Sequence, residues 1–144
     1  MNTVNFKKKE WLTNKKPNLL ITSVGRRSYM VKYFKEALGD AGEVHVTNSN
    51  ALSPAFNYAD RATVSPLIYS DDYIPFLMDY ISDNHIGALI TLFDIDVPIL
   101  SKARDEFMRA GCFPILPKEQ IAKICNDKYK TSLWLNKHGI KTPK

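Results

Sequence analysis

From Asn18 onward, short apolar runs rich in β-branched residues alternate with longer stretches whose apolar residues recur at helical spacing. That alternation restricts the fold more than any single motif. The run Asn18 to Val24 (NLLITSV) reads as a strand stopped by Gly25, and Ser28 to Leu38 follows with Met30, Val31, Phe34 and Leu38 on one helical stripe. Glu43 to Thr47 and Arg61 to Ser65 read as short strands, and Asp71 to Asn84 as a helix carrying Ile74, Leu77, Met78 and Ile81 inward, its two leading acids in the first turn. Pro75 is tolerable there because it lies near the helix start. Ile86 to Phe93 is almost wholly apolar, as a strand covered on both faces must be. A helix over Asp96 to Ala110, a strand over Cys112 to Leu116, a helix opened by Pro117 and another from Asp127 to His138 complete the order. This succession predicts a three-layer α/β domain with an open, mainly parallel sheet, whose strand-to-helix loops gather along one edge.

The chain of 144 residues suits one core, and 44% hydrophobic with 24% charged residues is ordinary globular usage. No apolar run approaches the roughly 20 residues of a spanning helix, so no membrane partner is expected. The net charge of +5 invites a nucleic-acid reading, but Lys7, Lys8, Lys9, Lys15 and Lys16 supply five positive charges before residue 18. Residues 1–17 therefore read as a basic extension, without the apolar segment of a secretory signal, and no nucleic-acid partner is expected. Cys112 and Cys125 have the spacing of no metal site and suit a reducing cytoplasm, while His45, His85 and His138 stand singly. No metal held by this chain is expected.

Three loops on the functional edge carry candidate chemistry. In Ser23 to Ser28 (SVGRRS) only Gly25 is present where a dinucleotide fold has three glycines, and the strand-two end reads TNSN without an acid for a ribose, so a nicotinamide site is disfavoured. Arg26 and Arg27 beside free helix N–H groups form an anion site, or Ser28 caps the helix and both arginines are solvated. In Leu92 to Asp96 (LFDID), Asp94 and Asp96 are candidates for acid/base or cation chemistry, or Asp94 caps the next helix with Asp96 in its first turn. The loop Thr47 to Asp60 covers a pocket or merely connects two strands. Tyr29, Tyr33, Phe34, Phe76 and Tyr80 recur at helical spacing and read as core or interface.

Taken in order, NLLITSVGRRSYMVKYFKEAL, SPAFNYAD, DIDVPILSKA, PKEQIAKICNDK and LNKHGIKTPK resemble the front end of ATP-grasp ligases, in particular proteins similar to the carbamoyl phosphate synthase large chain. The resemblance implies a Rossmann-like pre-ATP-grasp domain over 18–126, and a linker helix over 127–144 leading into an ATP-clamping domain that lies outside this chain. It further implies a ligase acting through an acyl phosphate, with ATP and Mg2+ used by the full-length protein and none held tightly by this piece. Lys128 would present a cation to the ATP phosphates, and Gly25, Arg26, Arg27, Asp94 and Asp96 would border a small carboxylate or amine substrate. Asn48 departs from the aspartate often found after the second strand. No catalytic residue is expected within these 144 residues, which read as excised or truncated from a longer cytoplasmic ligase and expected inactive alone. Pairing of two copies is compatible with the apolar surface a missing neighbour would leave. The rivals are a stand-alone α/β module binding a small anion or nucleotide without catalysis, and an NADP enzyme reading a phosphate through Arg26 and Arg27.

Overall fold

The structure, a computed structural model, describes residues 18–142. Five strands form one sheet in the order β3-β2-β1-β4-β5, and every pairing is parallel. They are β1 (Asn18–Thr22), β2 (Val44–Asn48), β3 (Arg61–Val64), β4 (Ile86–Thr91) and β5 (Phe113–Pro114). The helices are α1 (Ser28–Leu38), α2 (Tyr73–Asp83), α3 (Asp96–Lys102), α4 (Arg104–Arg109), α5 (Glu119–Cys125) and α6 (Lys128–Lys137). This is the α/β Rossmann-like architecture that the alternation predicts.

Strand β1 is central because both of its faces are apolar. Leu20 joins Leu89, Tyr73, Leu77, Ile81, Leu100 and Phe107 beneath α2, α3 and α4, while Leu19 and Ile21 join Val31, Val44, Val46 and Ala55 beneath α1. Successive strand residues point to opposite faces, so one strand seeds two cores. Leu20, Leu77, Leu89 and Phe107 are completely buried. Truncating one of them removes apolar contact and leaves a cavity, at a cost of about 2–5 kcal/mol. The chain winds from β1 outward through β2 to β3, then crosses back to β4 beside β1. The switch in winding falls between β1 and β4, where their exits diverge and open a crevice at the carboxyl edge.

Several boundaries differ from those the sequence suggests. The expected single helix over 96–110 breaks at Ala103, whose φ −88° and ψ 7° leave the helical well, so α3 and α4 meet there while Ala103 itself is buried. Asp71 and Asp72 do not occupy the first turn of α2: Asp72 is its N-cap residue and makes no side-chain cap bond. The helix opened by Pro117 begins at Glu119, and β5 has only two paired residues, extended by the Ile115 N–H donating to Leu89 O at 2.7 Å. Tyr29 and Tyr33 do not enter the core; they are 56% and 62% exposed and meet edge to face on the outer side of α1. Their helical spacing is that of a core stripe, but α1 already buries Val31 and turns these rings outward. Residues 1–17 and the last two residues of the 127–144 linker lie outside the described residues.

Candidate functional site

A cleft of about 570 Å³ opens at the carboxyl edge of the sheet. Ser23, Gly25 and Arg27 after β1, Asn48 and Ser49 after β2, and Phe93 after β4 bring three strand exits to it, while Leu67, Ile68 and Tyr69 close it from the β3–α2 loop. A second cleft of about 540 Å³ lies at the opposite, amino edge around Glu43, His45 and Arg61. The carboxyl-edge cleft is the candidate site because the loops that vary independently of the sheet converge there.

The β1–α1 turn is built from its own hydrogen bonds. Gly25 has φ +54°, a left-handed conformation that glycine adopts without a Cβ penalty. Its N–H donates to Asn48 Oδ1 at 3.2 Å, and its carbonyl accepts from Ser53 Oγ and from the Ala55 N–H. The departure of Asn48 from aspartate thus has a structural outcome: its amide oxygen joins the exits of β1 and β2. The Val24 N–H donates to Thr47 O at 3.1 Å and the Arg27 N–H to Val24 O at 3.2 Å. Ser28 does not cap α1; the N-cap residue is Arg27, and the Ser28 hydroxyl donates to Arg26 O at 3.4 Å. Of the two arginines, Arg27 lines the cleft, whereas Arg26 is exposed and lies outside its lining.

Asp94 and Asp96 part company. Asp94 is exposed and does not cap α3 through its side chain, for the N-cap residue is Ile95. Asp96 is completely buried, and its Oδ2 accepts from Thr22 Oγ1 (2.8 Å), Ser23 Oγ (2.9 Å), Thr91 Oγ1 (2.9 Å) and Tyr73 Oη (3.0 Å). Its Oδ1 has no hydrogen-bond partner among the described residues. A carboxylate in this position joins the ends of β1 and β4 to the start of α2, at the point where the winding of the sheet reverses. It also holds Ser23, whose φ of +48° is uncommon for a residue with a side chain. Burial, followed by the Asp96 charge, raises the Tyr73 phenol well above its ordinary range, so it remains a donor at neutral pH. Asp96 lies outside the cleft lining and holds the Ser23 turn through the serine hydroxyl.

Lys128 is exposed in the first turn of α6, where the Asp127 side chain caps the helix by accepting from the Lys130 N–H at 3.0 Å. It lies outside the cleft lining. The sequence reading missed Leu67, Ile68, Tyr69 and Phe93 as site residues. The available signal was an apolar run, PLIYS, in a loop position that should be polar. Among the described residues no group of three or more His, Cys, Asp or Glu side chains could hold a metal ion, and no helix is long and apolar enough to cross a membrane.

A parallel sheet with its crevice at the winding switch, lined by a glycine turn and one arginine, defines a Rossmann-like domain. The chain belongs to the PylC-like N-terminal domain family, which it matches over residues 19–115. Solved structures share its fold at low sequence identity. It is similar to the L-amino acid ligase from Bacillus licheniformis at TM-score 0.68 and 22% identity, over 91% of this chain and 31% of that one. It is also similar to glycinamide-RNase-transformylase T from Mycobacterium tuberculosis (TM-score 0.64, 17% identity, 88% and 37% of the two chains). N5-carboxyaminoimidazole synthetase from Staphylococcus aureus, solved complexed with ADP, aligns at TM-score 0.61 and 13% identity over 89% and 31%. The chain thus spans about a third of the length of these structural neighbours. Comparison with curated protein sequences gives no match.

Proposed function

We propose that residues 18–126 form the substrate-side domain of an ATP-dependent carboxylate–amine ligase, of the kind represented by carbamoyl phosphate synthase-like proteins, acting through an acyl phosphate. The match to the PylC-like N-terminal domain carries this reading, and the cleft at the carboxyl edge supplies its physical content. In this reading the domain orients a small carboxylate or amine substrate through the Gly25–Arg27 turn, while ATP is held by a further domain of a longer protein. Residues 127–144 lead toward that domain, and no residue of the present chain performs the chemical step. Mg2+ bound with ATP would offset phosphate charge. Lys128, exposed at the head of α6, would offer a compact positive charge to those phosphates. The unpaired thiols of Cys112 and Cys125 support a cytoplasmic setting.

Titration calorimetry with Mg-ATP tests the reading on the 144-residue chain and on the same chain joined to its downstream reading frame. Binding by the longer protein alone, weakened by Lys128→Ala, is the expected result. Equally tight binding by the 144-residue chain would overturn it and favour the second reading, a stand-alone module for a small anion or nucleotide. That reading draws on the cleft being lined by this chain's own residues, Arg27 included.

A further inference from the structure

We infer that the carboxyl-edge cleft takes a small carboxylate with an apolar body, in preference to a phosphorylated sugar or nucleotide. The inference rests on the reading of this cleft as the substrate side and adds the chemical class of its ligand.

The charge available in the cleft comes first. Arg27 is the single charged residue in the lining, and its side chain has no ion-pair or hydrogen-bond partner among the described residues. A half-buried guanidinium without a partner presents a fork that matches one carboxylate in bidentate fashion. A phosphate dianion is ordinarily held by several backbone N–H groups of a glycine turn as well. Here three of those groups are already used: the Val24, Gly25 and Arg27 N–H groups donate to Thr47 O, Asn48 Oδ1 and Val24 O. The turn resembles a phosphate cradle in sequence position but spends these three donors on its own structure. Arg27 Nη1 also comes within 3.7 Å of the position a Cβ on Gly25 would take, so the guanidinium lies over the glycine and occupies the approach to it.

Part of the lining is apolar. Leu67 and Tyr69 are 67% and 74% exposed, yet with Ile68 and Phe93 they line the cleft rather than lying scattered over the surface. An apolar body laid against them removes both surfaces from water, while a polyhydroxylated sugar would lose hydration there without gaining partners. Ser23, Asn48, Ser49 and Ser70 add polar side chains to the lining. The lining therefore offers partners to both ends of an amphiphilic monoanion.

The test is a 1H–15N titration of the 144-residue protein with 3-phenylpropionate and, separately, ribose 5-phosphate. The carboxylate is expected to shift the amides of residues 25, 48, 67–70 and 93, and to bind more tightly than the sugar phosphate. Arg27→Gln should weaken its binding roughly tenfold or more through loss of a charge-assisted pair. The double variant Leu67→Asn, Tyr69→Ser should weaken it by a similar factor by removing apolar contact. Both variants change side chains outside the core, and retention of the spectral dispersion verifies their folding. Tighter binding of ribose 5-phosphate at the same residues overturns the ligand class and leaves the substrate-side reading of the cleft standing. Failure of both probes to shift these residues overturns both.

Discussion

Replacing Asp96 by alanine should destabilise the domain severely, whereas the same change at Asp94 should be nearly silent. Three of the four hydroxyls that donate to Asp96 Oδ2 belong to buried residues: Thr22 and Tyr73 are 0% and 1% exposed and Thr91 is 9%. Leaving a buried hydroxyl without its acceptor costs about 1–3 kcal/mol, so the gross loss is on the order of 3–9 kcal/mol. Removing an unpaired buried charge recovers part of this, and neighbouring hydroxyls can donate to one another. A net cost of about 2–4 kcal/mol remains, a large share of the roughly 5–15 kcal/mol that holds a domain folded. For a domain of this size that corresponds to a fall in Tm of roughly 6–16 °C. Asp96→Asn, which keeps one acceptor oxygen, should lose about half as much. Asp94 is exposed, and Asp94→Ala should stay within about 0.5 kcal/mol of the parent. Calorimetric or circular-dichroism melting of the three variants measures these differences. An Asp96→Ala protein melting within about 2 °C of the parent would refute the view that this carboxylate holds the sheet's switch point together.

Two other predictions rest on titrating groups. Burial lowers the pKa of His45 below its ordinary 6.5 against the opposing pull of Glu43, with Arg61 lowering it further and Asp60 raising it. Glu43 can only accept, so His45 Nε2 carries the proton at 3.0 Å from Glu43 Oε2, while Nδ1 accepts from the Tyr80 hydroxyl at 3.0 Å. As pH falls below 6.5 the unfolded chain takes up a proton that the folded one resists, so stability declines toward the lower folded pKa. His45→Gln should flatten the pH dependence of chemical unfolding below about pH 6.5; an unchanged slope would exclude His45 as its source. Burial also pushes the Cys112 thiol up to about 12, while Cys125 is exposed. A thiol reagent should therefore label one cysteine per native chain at neutral pH and two only after unfolding, and rapid native labelling of Cys112 would contradict its placement under α4.

The order of strands and helices was readable because apolar periodicity is local: each element must bury its own stripe or face, and NLLIT or IGALIT states that need without reference to the rest of the chain. The resemblance to the front end of ATP-grasp ligases was likewise carried by the succession of segments. The amino-acid pattern also placed Gly25 and Arg27 on a strand-to-helix turn, where the structure finds them. It treated Asp94 and Asp96 as equals, because two acids two residues apart in a loop look alike until the hydroxyls of Thr22, Ser23, Tyr73 and Thr91 arrive from three other segments. In the same way, PLIYS is an ordinary connection in the chain and becomes an apolar wall only when β3 and α2 carry it against the exits of β1 and β4. Local free energies of burial and turn formation select the elements. Which carboxylate is buried, and which arginine faces a cleft, depends mainly on contacts between residues 20 to 75 positions apart, and those exist only once the sheet has wound in both directions from β1.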